Sequence, residues 1–187
     1  MEEMVNMANA RVYVISVRAF NAGRLFGKWM RLSAYRNKDE FLEAFRELYK
    51  EEHSPQLKIL DWQDIPSGMI CERFISDKVF ELAKAVYRLS SLEGNAFHLW
   101  ITHNGFDLSK EDIYSLVQEF KVSYQGKFKN RKHFGRYYAE KSLAITKSSF
   151  PDFDLWSFTL QLFKEKYVLL DNYVFKNLRQ VKASCNN

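Results

Sequence analysis

The residues of this chain best suited to chemistry are charged side chains that recur at regular spacing. Between positions 40 and 51, glutamates follow one another at intervals of three and four residues, at Glu40, Glu43, Glu47 and Glu51. On an α-helix this spacing gives a row of carboxylates about 16 Å long, at roughly 1.5 Å per residue. Such a row can imitate the phosphate backbone of DNA, although it is more often the solvated face of a surface helix. The sequence leaves both interpretations open.

A second run of charge has the opposite sign. The segment 121–136 contains six basic residues and no carboxylate, the six being Lys121, Lys127, Lys129, Arg131, Lys132 and Arg136. His133 adds partial charge below neutral pH. Such a run is commonly a solvated surface. It also suits an acidic partner or a nucleic acid, whose bases could stack on Tyr137 or Tyr138.

The total charge does not decide between these interpretations. The chain of 187 residues has 28 basic and 23 acidic residues, which gives a formal net charge of +5. The segment 39–64 alone has eight acids against three bases, a net charge of −5. A mildly basic total therefore conceals an acidic segment, and it does not by itself indicate nucleic-acid binding.

Motifs of catalysis and metal binding are missing from the sequence. His98 and His103 have no third ligand at metal-site spacing, and Cys71 and Cys185 show neither metal-binding spacing nor a disulfide framework. There is no G-x-S-x-G elbow, no G-x-G-x-x-G fingerprint and no phosphate-binding loop. The sequence therefore predicts a protein that is not an enzyme and that uses no cofactor or metal. No segment has the pattern of a signal peptide or membrane span, which predicts a cytoplasmic location.

Strands and a turn are predicted at the start of the chain, after a loose lead-in at 1–10. β-Branched and aromatic residues predict a strand at 11–17. The turn 20–23 leads into a returning strand at 25–32, with Gly27 at a bulge or a close approach.

The row of glutamates is positioned by a predicted helix. Asn37 and Glu40 can form a capping box, so a helix is expected from this point to about Glu52. A strand at 57–62 and a turn at 66–68 follow.

The middle of the chain predicts a small helical bundle. Ser76 can cap a first helix, and a second runs over about 93–103 and stops at 104–105. Ser109 and Asp112 can cap a third helix.

The basic run is predicted to form a short strand, a turn and a helix. Gly126 provides the bend, and Asn130 can cap a helix that spans about 131–144. A further helix is predicted, capped by Asp152 or Asp154 and running through Phe163. Two strands follow, at 167–170 and 173–178, joined by a turn at Asp171-Asn172. A frayed tail is predicted at 179–187.

Several spaced motifs, in this order, resemble those of the ArdA-type antirestriction proteins. They are the FNAG turn at 20–23, the GKW at 27–29, the aromatic-glycine-helix segment at 124–134 and the ending DNYVFKNL at 171–178. In that family the third segment is usually acidic, whereas here the aromatic anchors stay and lysines replace the acids.

The resemblance extends over nearly the whole chain and implies an elongated α+β protein of three small modules. These are a mixed α/β module with a short antiparallel sheet at 1–70, a helical module at 71–120, and a second mixed α/β module with a C-terminal hairpin at 121–187. It also implies a homodimer encoded on mobile elements such as conjugative transposons. Such proteins protect incoming DNA by occupying the DNA-binding cleft of type I restriction-modification enzymes as DNA mimics.

Two functional hypotheses follow. In the first, the mimic is a carboxylate surface composed of Glu40, Glu43, Glu47, Glu51, Asp61, Asp64, Asp107, Glu111, Asp112 and Glu119. In the second, the fold is kept but the function has shifted to binding a nucleic acid or an acidic partner through Lys127, Lys129, Arg131, Lys132 and Arg136. Duplex DNA has about one negative charge per 1.7 Å, so a mimic needs dense carboxylates, and cations at the contact would oppose docking.

Overall fold

The computed structural model describes residues 9–66, 68–146 and 148–177. They form two compact units divided between Val117 and Gln118, inside one helix. We call the described residues up to 117 unit 1 and those from 118 onward unit 2. The predicted tail, Leu178, Cys185, Ser67 of the predicted turn and most of the predicted lead-in lie outside the described residues. The division into three modules stays a prediction.

Short antiparallel sheets and α-helices make up both units, which confirms the predicted α+β class. In unit 1, strands β1 (Arg11–Ser16), β2 (Lys28–Arg31) and β3 (Leu57–Gln63) form a sheet in the order β2-β1-β3. Val12, Val14 and Ile15 of the central strand are fully buried, as expected for a β-branched strand covered by helices. The three strands confirm the predictions for this part of the chain, although β2 is shorter than expected.

A short helix, α1 (Val17–Asn21), occupies part of the segment for which only a turn was predicted. It forms because the hydroxyl of Ser16, at the end of β1, accepts a hydrogen bond of 3.0 Å from the backbone N–H of Ala19. The turn itself follows at Gly23, whose φ is +73°.

The close approach predicted at Gly27 is confirmed. A Cβ at this position would lie 2.3 Å from the carbonyl oxygen of Val14. The Gly27 N–H donates to the Tyr13 hydroxyl over 2.8 Å, and that hydroxyl donates in turn to the Leu25 carbonyl. Strand β1 therefore holds the loop that precedes β2.

Helix α2 (Lys38–Leu48) begins as predicted, with the Asn37 side chain accepting from the Glu40 N–H over 2.9 Å. The Glu40 carboxylate accepts from the Arg36 N–H instead of the Asn37 N–H, so the capping box is displaced by one residue. The helix ends four residues earlier than the predicted Glu52, because Tyr49 leaves helical geometry.

A hairpin of two-residue strands, β4 (Ile70–Cys71) and β5 (Phe74–Ile75), was not predicted. The helices that follow confirm the sequence predictions. Their bounds are α3 (Asp77–Tyr87), α4 (Ser91–Asn104) and α5 (Ile113–Ser123).

The caps of these helices agree with the sequence in two cases and differ in the third. Ser76 accepts from the Lys78 N–H at the start of α3, and α4 ends at Gly105 with a φ of +68°. The predicted cap by Ser109 is wrong: the Asp112 carboxylate itself accepts from the N–H groups that begin α5, at 3.0 and 3.1 Å. Because the capping side chain is that of Asp112 and not that of Ser109, α5 starts about one turn later than expected.

In unit 2, strands β6 (Tyr124–Lys127), β7 (Tyr167–Leu170) and β8 (Tyr173–Lys176) form an antiparallel sheet in the order β6-β8-β7. The predicted two-residue turn joins β7 to β8, with positive φ at both Asp171 (41°) and Asn172 (67°).

Two helices pack on this sheet, α6 (Arg131–Ser142) and α7 (Leu155–Glu165). Asn130 caps α6 as predicted, accepting from the His133 N–H over 2.9 Å. The α6 helix ends at Ser142 rather than at the predicted 144, and of the two predicted caps of α7 it is Asp154 that caps. The core of the unit consists of Phe128, Phe134, Leu162, Tyr167 and Val174.

Candidate charged interfaces

The glutamate row on α2 is shorter than the sequence indicated. Glu43 and Glu47 are one turn apart on the exposed side of the helix, opposite the buried Phe41 and Phe45. Glu51 lies beyond the end of the helix, so the helical row spans Glu40 to Glu47, about 10 Å at 1.5 Å per residue.

The three helical carboxylates differ in how far neighbouring cations neutralise them. The Glu40 carboxylate lies 3.7 Å from the Arg36 guanidinium and also accepts from the Arg36 N–H, so its charge is partly neutralised by this neighbour. Glu47 lies 3.4 Å from Lys50, in a pair that is exposed on both sides. Glu43 has no hydrogen bond or ion pair to any other described residue. It is therefore the carboxylate of the row most available to a partner.

Two further candidates lie along and just after the edge strand β3. Asp61 is exposed, and its carboxylate accepts from the N–H of Trp62 over 2.7 Å. Asp64 follows the strand, is half-buried and has a φ of +58°, in the left-handed region. The acidic segment therefore extends from α2 onto the edge of the sheet.

The three candidates before α5 have structural partners. Asp107 accepts from Lys110 Nζ over 2.8 Å and from the N–H and hydroxyl of Ser109 over 3.0 and 2.6 Å. These bonds, the one from Lys110 foremost, lower the pKa of Asp107 to about 2. Hydrogen bonds from Ser115 lower the pKa of Asp112, which caps α5.

The last two candidates contribute little to a common surface. The backbone carbonyl of Glu111 accepts from Lys78 Nζ over 2.6 Å, and its side chain is half-buried. Glu119 is half-buried and belongs to unit 2, whereas the other nine candidates belong to unit 1. The exposed acidic surface of unit 1 is therefore best represented by Glu43, Glu47 and Asp61.

The basic candidates of unit 2 are exposed without exception: Lys127, Lys129, Arg131, Lys132 and Arg136. Within the described residues, none of them lies within 4.0 Å of a carboxylate. Two are placed over aromatic rings, with Lys127 Nζ 5.2 Å from the Tyr173 centroid and the Arg131 guanidinium 5.3 Å from that of Phe163. A ring orients a cation but leaves its charge in place.

The two tyrosines proposed as alternatives for stacking differ in exposure. Tyr138 is half-buried and packs against Phe134, Phe158 and Tyr167. Tyr137 is 46% exposed and lies 5.2 Å from the ring of Phe128.

The division into units separates the charge of the chain. Residues 118–187 contain 13 Lys or Arg and six Asp or Glu, a net of +7. Residues 1–117 contain 15 and 17, a net of −2. The positive total is therefore a property of the second part of the chain.

A cleft that the sequence did not indicate lies beside α1 in unit 1. Its volume is about 500 Å³, and its lining includes Arg18, Arg24, Phe26, Glu51 and Glu52. Phe26 is 94% exposed, which is unusual for a large apolar side chain. Phe26 lies next to Gly27 in the predicted strand 25–32, and nothing in the sequence distinguishes it from a core residue.

The described residues contain no group of side chains suited to hold a metal ion. Among residues 9–66, 68–146 and 148–177, no three His, Cys, Asp or Glu side chains are grouped as metal ligands. Cys71 is exposed and free. In the part of the chain that the structure describes, no helix has the length and hydrophobicity needed to cross a lipid bilayer.

The chain thus has a small α+β fold whose two units differ in the sign of their net charge. Comparison with family models matches residues 12–173 to the antirestriction protein family ArdA, and the chain belongs to that family. A search of curated proteins found no match to this chain.

Proposed function

We propose that this ArdA-family protein inhibits type I restriction-modification enzymes by DNA mimicry, and that it thereby protects incoming mobile DNA. The observation that supports mimicry is the exposed face of α2, on which Glu43 has no partner among the described residues and Glu47 is held only by an exposed lysine. The protein acts as a non-catalytic competitor in the cytoplasm, as a homodimer.

The carboxylates take the positions of phosphates in a cleft lined with lysine and arginine. Over the 10 Å of the α2 row, duplex DNA presents about six charges, at one per 1.7 Å, whereas the row presents three carboxylates. The mimic therefore needs the rest of the acidic segment, including the exposed Asp39 and Asp61. A contact through this segment involves unit 1 and none of the cations at 121–136.

A second candidate function uses the basic run as the working interface in place of the acidic segment. The observation that favours it is the lack of any carboxylate within 4.0 Å of Lys127, Lys129, Arg131, Lys132 or Arg136 in the described residues. In that case the protein binds a nucleic acid or an acidic partner and does not inhibit the restriction enzyme.

A titration of the purified protein into a type I restriction-modification enzyme separates these functions. Cleavage and methylation of unmodified DNA are followed together, and a parallel assay measures direct DNA binding by the protein. We expect both activities to fall as protein is added, without binding of the protein to the duplex DNA in the parallel assay. Inhibition that occurs only at concentrations at which the protein binds that DNA would indicate coating of the DNA and would overturn mimicry.

A further inference from the structure

The cations of unit 2 lie along one stretch of the chain, from β6 through the three-residue turn 128–130 into α6. Lys129 lies in this turn, and its N–H is 3.4 Å from Nδ1 of His133. Lys132 and Arg136 are one helical turn apart, so their side chains are neighbours on the outer face of α6. Three exposed cations thus lie within eight consecutive residues of the unit, 129–136.

An exposed aromatic ring lies on the same helix as Lys132 and Arg136. Phe128 contacts both His133 and Tyr137, with centroid distances of 5.6 and 5.2 Å. Phe128 is buried and supports the other two rings from below. Because Tyr137 packs on Phe128 and is still 46% exposed, its ring is a supported platform on the helix that also holds Lys132 and Arg136.

Two carboxylates border the cluster. Glu140 is exposed one turn after Arg136 on α6, and Asp171 is exposed in the turn whose Asn172 carbonyl accepts from the Phe128 N–H. Neither is within 4.0 Å of a described cation. The described residues from 118 onward contain ten Lys or Arg and six Asp or Glu, a net charge of +4, which favours a positive field at this surface.

We propose that this face of unit 2 binds single-stranded nucleic acid, with the cations on phosphates and Tyr137 stacked on a base. Phosphates explain the unneutralised cations, and a base explains why an exposed and supported ring lies on the same helix. An acidic protein would use the charges alone. This proposal names the partner class of the second candidate function, but it does not require loss of inhibition, since the acidic segment belongs to the other unit.

The experiment measures fluorescence anisotropy of a labelled DNA single strand, its duplex and the equivalent RNA strand at increasing salt. If each of the five cations contacts one phosphate, at about 0.7 ion released per phosphate, the slope of log K against log salt for the single strand has a magnitude of at most roughly 3.5. Replacing Lys129, Lys132 and Arg136 by glutamine should reduce the magnitude of that slope by about 2.

Three exposed cations of unit 1 provide the matched control. The triple variant Arg24→Gln, Arg73→Gln and Arg88→Gln loses the same net charge and should leave the slope unchanged. An equal effect of the control triple would show that only net charge matters and would overturn the proposal. So would the absence of binding by the parent protein at low salt.

Substitution of Tyr137 tests the stacking contact separately. Tyr137→Ala should weaken single-strand binding roughly 5- to 150-fold, as expected for loss of one stacked base, and Tyr137→Phe should retain it. Displacement of the strand by polyglutamate at equal charge, together with no effect of Tyr137→Ala, would identify a general polyanion surface and overturn the proposal. The assay contains no restriction enzyme, so its outcome is independent of the inhibition experiment.

Discussion

Gly135 of α6 and Thr159 of α7 are in direct contact, and there is no space for a side chain on the glycine. A Cβ on Gly135 would lie 2.0 Å from Oγ1 of Thr159. Thr159 is buried, and its hydroxyl donates to the Leu155 carbonyl over 2.7 Å, so it is not free to move aside. The two helices of unit 2 can approach this closely only because residue 135 has no side chain.

Gly135→Ala should therefore destabilise unit 2 by about 1–3 kcal/mol through overpacking, although alanine is the better helix former. Urea unfolding followed by circular dichroism measures the change. Gly94→Ala is the matched control, since Gly94 is also helical but its Cβ would meet nothing nearer than 3.9 Å, at Val86. That variant should be neutral or up to about 1 kcal/mol more stable. Similar losses in both variants would contradict the close-contact explanation.

The double variant Glu43→Lys and Glu47→Lys tests the acidic surface. It should weaken inhibition of a type I enzyme at least tenfold, which corresponds to about 1.4 kcal/mol, because two attractive charges become repulsive in a basic cleft. Glu40 is left in place because it also bonds the Arg36 N–H before α2.

The control for that variant is Glu140→Lys and Asp152→Lys in unit 2, both exposed and equal in charge change. Inhibition constants from cleavage assays should stay near those of the parent protein. If the Glu43 and Glu47 variant inhibits as well as the parent, the α2 carboxylates have no part in the contact.

The lowered pKa of Asp107 predicts a specific acid dependence. Because the folded-state pKa is about 2 against an ordinary value of 3.8, the carboxylate favours the folded state above about pH 4. That contribution is lost as the pH falls from about 4 through 2. Lys110→Gln removes the largest cause, so an NMR titration of the Asp107 carboxyl carbon should move its midpoint upward.

Asp112 is the internal control for this titration, since its pKa is lowered chiefly by Ser115 and not by Lys110. Its midpoint should be the same in the parent and in Lys110→Gln. An unchanged midpoint at Asp107 would show that the hydrogen bonds from Ser109, and not the one from Lys110, lower its pKa.

The β7–β8 turn predicts different effects on stability for alanine and glycine at position 172. This residue has a φ of +67°, a region that costs most residues with a Cβ about 1–2 kcal/mol, asparagine less and glycine nothing. Asn172→Ala should reduce stability by about 1 kcal/mol in urea unfolding, and Asn172→Gly should not reduce it. A loss in both would instead assign the effect to the asparagine side chain.

Elements with a local cap were predictable from the sequence. Asn37, Ser76 and Asn130 each satisfy N–H groups two or three residues ahead, an interaction that depends only on neighbouring residues. The hairpin turn at 171–172 is equally local.

Features that depend on distant contacts were not predictable. The chain leaves α2 at Tyr49, and Glu52 instead accepts from the Ser16 hydroxyl, 36 residues away, over 2.6 Å. Tyr138 is covered by residues of α7 and β7 that no local pattern connects to it. The β4–β5 hairpin is too short to show strand periodicity.

The candidate surfaces could likewise be predicted only in their local features. Their charges and their helical spacing are visible in the sequence, and so is the i,i+4 pair of Arg36 and Glu40. The exposure of Glu43 and the support of Tyr137 by Phe128 depend on packing, and only the structure identifies them.

The separation of charge between residues 1–117 and 118–187 means that a single isoelectric point describes neither part of the molecule. Near neutral pH, the exposed acids at 39–64 are a site for an anion-exchange resin, and the cations at 121–136 are a site for a cation-exchange resin. The protein is expected to be retained by both media at low salt. Elution order in a purification would then report which charged face meets the matrix, and not the net charge of +5.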